Sequence, residues 1–286
     1  MILLNSKKRL ITLLIVLVCG IIIFILGLGT TGLVDETPPL FAAAARTMSE
    51  SGDWLTPKVN GIFRFDKPPL IYWLMGFFYS LPKNEIWDSF GTLSARLPSA
   101  LASLFLMLMI GDTLFCWPQK SDRQFLTPIV ASLGFALSPL IIIWSRTAVS
   151  DALLTGTLGI SLLLFWRRMA SENNDQCISA WVFLGFAILV KGPVAFVLAL
   201  LTITSFLFCQ KNWKTLLSKI NPKKGFLITT LISVPWYILE LLKEGKPFWD
   251  NFFGYHNFQR YTSVVNNHSE PFWFFLYIMI LASLPF

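Results

Sequence analysis

The chain has 286 residues, 55% of them apolar and only 14% charged, and its mean hydropathy is strongly positive. A soluble domain carries about a quarter charged residues, so this composition excludes one and points to a helical integral membrane protein whose apolar runs of about 20 residues cross a bilayer. The net charge of +7 has a membrane explanation and does not call for a nucleic-acid partner. Two His and four Cys are too few and too scattered for a thiolate metal centre. Cys19, Cys116 and Cys209 lie in or beside apolar runs and Cys177 in a polar loop, as small buried or interfacial residues do.

Asn5-Ser6-Lys7-Lys8-Arg9 precedes an unbroken apolar run from Leu10 to about Gly29. Signal peptides share that plan, but this run exceeds the usual apolar region and no clean small-x-small cleavage site follows. It reads as a retained first span with its basic end in the cytoplasm. Further apolar runs lie at about 95–116, 125–145, 151–166, 178–191, 193–209, 225–242 and 271–286. The runs at 178–191 and 193–209 are too long together for one span, and Lys191-Gly192-Pro193 supplies a turn between them. Pro68 to Leu81 is apolar and aromatic but too short to cross, and fits an interfacial helix. The expected architecture is an all-α polytopic membrane protein, one transmembrane domain over 1–286 with about eight transmembrane helices. A large first extracytoplasmic loop with interfacial helices occupies 30–94, and a second such loop 243–270.

With the N-terminus inside, the loop 210–224, which holds five Lys and no acid, falls on the cytoplasmic side, as basic short loops do. The same topology opens 30–94, Arg146 to Asp151, Lys191 and 243–270 on the outer face. The unusual polar chemistry therefore collects on one side of the membrane.

Asp35 and Glu36 follow the first span directly. They read either as carboxylates that take a proton from an attacking hydroxyl or as acids favoured by the dipole of a helix at 40–50. In Asp66-Lys67-Pro68-Pro69 the prolines fix the backbone and aim both charged side chains. Lys67 then suits an anionic phosphate leaving group and Asp66 orients it or ligates a metal; the alternative is a surface ion pair. Arg146 and Asp151 bracket the end of one span and the start of the next, where charges near hydrocarbon call for a partner, so a structural ion pair stands beside a catalytic role. Lys191 either touches a lipid phosphate or snorkels at a helix end. The loop 243–270 holds both histidines, His256 and His268, and Arg260 among aromatics; arginine is the fitting side chain for phosphate or pyrophosphate oxygens.

These residues carry a resemblance. Asp35-Glu36, Ala45-Arg46 with Met48, Ser51-Gly52-Asp53-Trp54-Leu55-Thr56-Pro57, Asn60-Gly61 and Phe65-Asp66-Lys67-Pro68-Pro69-Leu70 resemble the first outer loop of membrane glycosyltransferases of the GT-C fold. The most similar are the lipid A aminoarabinose transferases and the family 39 enzymes related to protein O-mannosyltransferases. Arg96-Leu97-Pro98-Ser99, Asp151-Ala152-Leu153-Leu154, Lys191-Gly192-Pro193 and Asn257 to Arg260 also match that group.

The resemblance implies a GT-C-like helical bundle, a polyprenyl-phosphate sugar as donor, and an acceptor hydroxyl or phosphate on a lipid, protein or glycan outside the membrane. It implies inverting displacement at the sugar carbon in a bacterial-type inner (plasma) membrane. By position, Asp35 is the base or acceptor-positioning carboxylate, with Glu36 beside it. Lys67, Arg260 and Lys191 hold the lipid phosphate; Asp66, Arg146, Asp151 and Asn257 support the site. Some relatives bind a divalent metal near the acid at Asp66, where they often carry Glu, and a loop histidine, His256 or His268 here. Members are about twice this length, whereas this chain stops at Phe286 inside an apolar run. A truncated chain, or a second polypeptide that supplies the missing spans, is therefore expected. The rival readings are a transporter or flippase of lipid-linked sugar, which would place polar residues near mid-membrane on broken helices, and an inactive lipid-binding fragment.

Overall fold

The computed structural model of the chain describes residues 2–82, 86, 88–117, 123–171, 177–259, 271 and 273–283. Apart from one two-strand hairpin, its regular elements are helical. They are α1 (Ile2–Gly20), running into a π-helical stretch Ile21–Ile25, α2 (Thr37–Ser51), α3 (Leu70–Tyr79), α4 (Leu93–Cys116), α5 (Leu126–Leu137), α6 (Pro139–Ser145) and α7 (Ser150–Ala170). They continue as α8 (Cys177–Lys191), α9 (Pro193–Phe208), α10 (Trp213–Lys219), α11 (Pro222–Glu244), α12 (Lys246–Phe248), a π-helical stretch Trp249–Gln259 and α13 (Phe274–Ser283).

Among the described residues, Ser6–Ile25, Leu93–Cys116 and Pro222–Glu244 are each long and apolar enough to cross a bilayer. The apolar run at 125–145, expected as one span, is instead a pair of helices, α5 and α6, bent by 68°. The cause is local. A residue before proline is disfavoured in the helical region, and Ser138, ahead of Pro139, adopts φ −60°, ψ 127°. The helices α8 and α9 are apolar but shorter, and the expected turn parts them: Gly192 sits at φ 82°, ψ −155°, a conformation open to glycine alone at little cost. The apolar stretch Pro68 to Leu81 does form a helix, α3.

Small residues let the long helices approach. A Cβ at Gly156 of α7 would lie 2.7 Å from the Cβ of Ala102 on α4, so the backbones meet where side chains are absent. One buried cluster joins the first loop to the bundle: Phe41, Met48, Tyr72 and Met75 of α2 and α3 pack with Val149, Leu153 and Val190. A second holds the later loop, with Phe65, Leu189, Trp236, Phe248 and Phe252 together. Within the first loop, β1 (Lys58–Val59) pairs antiparallel with β2 (Ile62–Phe63). Asn60 and Gly61 turn between them with φ of 52° and 79°, the pairing that two-residue hairpins favour.

Candidate active site

The hairpin and the two prolines aim the chain between them. Phe65 is buried, with its ring 5.5 Å from that of Phe248, and Pro69 caps α3, so Asp66 and Lys67 are held from both sides. Arg64 Nη2 donates to Asp66 Oδ2 at 2.8 Å, Tyr72 OH donates to Asp66 Oδ1 at 3.0 Å, and Arg64 Nε donates to the Tyr72 oxygen at 3.1 Å. Phe41 backs this triad, stacked on Tyr72 at 5.3 Å and lying beneath the Arg64 guanidinium at 5.1 Å. Burial, reinforced by the Asp66 charge, pushes the Tyr72 phenol well above its ordinary range, so it stays a donor. Lys67 Nζ donates to the Asp66 carbonyl at 3.0 Å.

Arg64, Asp66, Asn251 and His256 line one cavity of about 560 Å³. The sequence places Asp66 and His256 as metal ligands, and the fold does bring them to one cavity. However, Arg64 and Tyr72 already engage both Asp66 oxygens, and among the described residues no group of three or more His, Cys, Asp or Glu gathers to hold a metal. His268 lies outside the described residues, as does Arg260. Among the described residues Asp66 and His256 are the only two of the expected donors, too few to define a metal site, and no step below runs through an ion.

Asp151 and Lys191 meet. Lys191 Nζ donates to Asp151 Oδ1 at 2.6 Å, joining the end of α8 to the start of α7. The start of α7 is fixed by Ser99 Oγ, which donates to the Val149 carbonyl at 2.9 Å. Asn257 packs at the same corner: its Oδ1 lies 3.7 Å from where a Gly192 Cβ would stand, and its Nδ2 donates to the Phe252 carbonyl at 2.7 Å. Arg146 is not the partner of Asp151. Its guanidinium donates to the carbonyls of Ile23 and Leu26 at 2.9 Å each, which the π-helical end of α1 leaves open, so Arg146 ties α1 to α6.

Asp35 and Glu36 are exposed at the head of α2. Asp35 has φ 77°, uncommon for a residue with a Cβ, and its Oδ1 accepts the Glu36 N–H at 2.7 Å. The turn before it hangs on Arg96, which donates to the Leu28 and Gly32 carbonyls and to Thr31 Oγ1 at 2.7–2.8 Å. Four predicted residues thus stand at helix ends around the cluster of Phe41, Tyr72, Val149 and Val190: Asp35 before α2, Lys67 before α3, Asp151 in the first turn of α7 and Lys191 closing α8.

Sequence reasoning missed three contributors. Arg64 and Tyr72 order Asp66; Tyr72 is polar only at its tip, inside the apolar stretch Leu70–Tyr79. The third is a clasp between the loops. Asp53 accepts Lys58 Nζ at 3.1 Å and Lys243 Nζ at 2.9 and 3.0 Å, and the buried Thr56 hydroxyl lies 3.1 Å from Glu240 Oε2 and 3.3 Å from Glu244 Oε1. Burial raises the Asp53 carboxyl, but the hydrogen bonds from Lys243, Lys58 and the Thr56 and Leu55 N–H groups outweigh it and hold the group well below the usual carboxylate range.

Comparison with known proteins agrees with this architecture. The chain is 26% identical over 266 residues to undecaprenyl phosphate-alpha-4-amino-4-deoxy-L-arabinose arabinosyl transferase 2 of Pseudomonas fluorescens (strain Pf0-1), covering 92% of this chain and 46% of that protein. The transferase of that name from Pseudomonas aeruginosa (strain UCBPP-PA14) is 26% identical over 255 residues, covering 88% and 44%. The crystal structure of ArnT from Cupriavidus metallidurans bound to undecaprenyl phosphate superposes with a TM-score of 0.82 at 24% identity, covering 95% of this chain and 48% of that one; the apo structure gives 0.80 at 22% identity, with the same coverage. The chain spans about half the length of the relatives it matches, and it is an integral membrane protein with the expected GT-C-like fold. Residues 66–239, more than half the chain, match the model of the dolichyl-phosphate-mannose-protein mannosyltransferases, the family to which the chain belongs.

Proposed function

We propose that the chain serves a glycosyltransferase that moves a sugar from a polyprenyl phosphate to an extracytoplasmic acceptor, with the N-terminus of α1 in the cytoplasm of an inner membrane. The observation that carries this reading is the placement of the Lys67 and Lys191 cations and the Asp35 and Asp151 carboxylates at helix ends around one buried cluster. Asp35 takes the proton of the acceptor hydroxyl, whose oxygen attacks the anomeric carbon. The bond from that carbon to the lipid phosphate breaks, and the phosphate leaves as an anion held by Lys67, Lys191 and Arg260. Glu36 stands beside the base, Asp151 holds Lys191, and Asp66 fixes the backbone that aims Lys67. The relatives' names supply the donor class, undecaprenyl phosphate carrying an amino sugar.

The test is transfer of radiolabel from polyprenyl-phosphate sugars in membranes that express the chain, alone and with a polypeptide equivalent to the C-terminal half of its relatives. Transfer that disappears in both Asp35→Asn and Lys67→Ala supports the assignment. Transfer unaffected by either substitution removes these residues from the site, and no transfer in any combination overturns the reading.

A further inference from the structure

Away from the outer-face site, α1, α4, α7 and α8 leave a groove of about 870 Å³ along their length. Leu10, Leu14 and Leu17 of α1 and Leu101, Phe105 and Leu108 of α4 line it, and at its far end it reaches Leu74 and Phe78 of α3. On both helices these positions recur every three or four residues, so each presents one continuous face. Leu10, Leu14 and Phe105 are 60%, 48% and 56% exposed, so the walls are open to the bilayer.

At the N-terminal end of α1 the same faces continue and their chemistry changes. The stripe on α4 runs on from Asp112 to Phe115 and Cys116, that on α1 back from Leu10 to Arg9 and Ser6, and with Gln124 they enclose a second cavity of about 550 Å³. Where the two cavities meet, one carboxylate serves two guanidinium groups: Arg9 Nε donates to Asp112 Oδ1 at 2.6 Å and Arg167 Nη2 to Asp112 Oδ2 at 2.9 Å. Arg167 is 4% exposed and wholly engaged with Asp112, Thr113 and the Met109 carbonyl, whereas Arg9 is 48% exposed. Among the described residues, two cations on one anion leave a positive charge uncompensated, and Lys7 and Lys8, both exposed, add to it. Such a surplus beside hydrocarbon calls for an anion.

We infer that this groove binds an anionic glycerophospholipid, its acyl chains along α1 and α4 and its phosphate at Arg9, in the leaflet at the N-terminal end of α1. The charge separates it from a neutral or zwitterionic lipid, which would leave the surplus at Arg9 unmet. The Arg9 end of the groove lies at the opposite end of α1 from Asp35.

The experiment uses the full chain in phosphatidylethanolamine nanodiscs doped with phosphatidylglycerol that carries a photoactivatable acyl chain, with phosphatidylcholine bearing the same group as the comparison. The inference expects the anionic probe to label peptides of α1 and α4, and Arg9→Gln to lower that labelling by about tenfold. Leu14→Trp fills the groove from an exposed position without touching the core, and should abolish the labelling while α-helical circular dichroism is retained. Equal labelling by both probes, labelling unchanged in Leu14→Trp, or displacement of the probe by undecaprenyl phosphate would overturn it.

Discussion

Lys191 and Asp151 form an ion pair, 2.6 Å from Nζ to Oδ1, between the last residue of α8 and the first turn of α7. Both ends of the pair are braced independently. Ser99 holds the Val149 carbonyl, and Gly192 turns the chain under Phe252 and Asn257. The side chains remain 26% and 41% exposed, so the pair is a poor candidate for a stability device, since exposed ion pairs contribute about 0–1 kcal/mol. Lys191→Gln is therefore expected to leave thermal stability nearly unchanged and to lower sugar transfer by about tenfold or more through loss of a charge-assisted contact to phosphate. Thermal denaturation in detergent beside initial transfer rates checks this. A large fall in stability with unchanged transfer would make the pair purely structural.

The clasp of Asp53 on Lys58 and Lys243 carries a pH prediction. The folded-state pKa of Asp53 is depressed, so its stabilising effect is fully present above the ordinary carboxylate range of about 4 and is lost only as pH falls below it, towards the folded value. The Asp53 contribution to docking of the 53–59 segment on the end of α11 should thus be constant from neutral pH down to about 4 and be lost in stronger acid. Asp53→Asn should expose the segment to an added protease already at neutral pH, and Lys243→Gln should do so to a smaller degree, because Lys58 still reaches Asp53. Proteolysis that is identical in wild type and Asp53→Asn would contradict this.

Asp66 is the residue whose environment offers a separable test. Tyr72→Phe removes one of the two donors to its carboxylate while keeping the ring that stacks on Phe41. A hydrogen bond to a charged group contributes about 1.5–3 kcal/mol, so the variant should fold with a modestly lowered midpoint. Freed on one side, Asp66 should hold Lys67 less firmly, and the Michaelis constant for the lipid donor should rise more than the turnover number falls. Arg64→Gln should show the same pattern more strongly. Equal kinetics in wild type and Tyr72→Phe would take the triad out of donor binding.

What could be read from the chain alone follows from the range over which each signal acts. The first span, the helix after Pro68 and the break at Gly192 rest on runs and punctuation a few residues wide, and they stand where expected. The bend at Ser138-Pro139 had an equally local signal, but continuous hydropathy over 125–145 conceals it. Partners were harder. Arg146 and Asp151 are five residues apart and invite pairing, yet in the fold Arg146 serves carbonyls of α1 and Asp151 takes a lysine 40 residues away. Asp53 and Lys243 are 190 residues apart, and no periodicity joins them. The candidate site was legible as a set of aimed charges in loops. The contacts by which Arg64, Tyr72 and Arg96 hold them became visible only once the packing was known, because each owes its role to a neighbour brought in by the fold.

The backbone of Asp35 separates its chemistry from its structural effect. At φ 77° a residue with a Cβ is strained, by about 1–3 kcal/mol when held in a sparsely populated region. Its carboxylate accepts the following N–H, and among the described residues no side-chain hydrogen bond or ion pair to it is found. Asp35→Gly relieves that strain but enlarges the unfolded ensemble, so its stability should equal or slightly exceed that of the wild type. Transfer should nonetheless fall by about 10²-fold or more, the contribution typical of a general base. Asp35→Ala keeps the strain and loses the carboxylate, so it should match the glycine variant in transfer and be the less stable of the two. Thermal midpoints and transfer rates of the pair decide the question. If both substitutions leave transfer intact, Asp35 only shapes the entry into α2, and the base must be sought at Glu36 or Asp151.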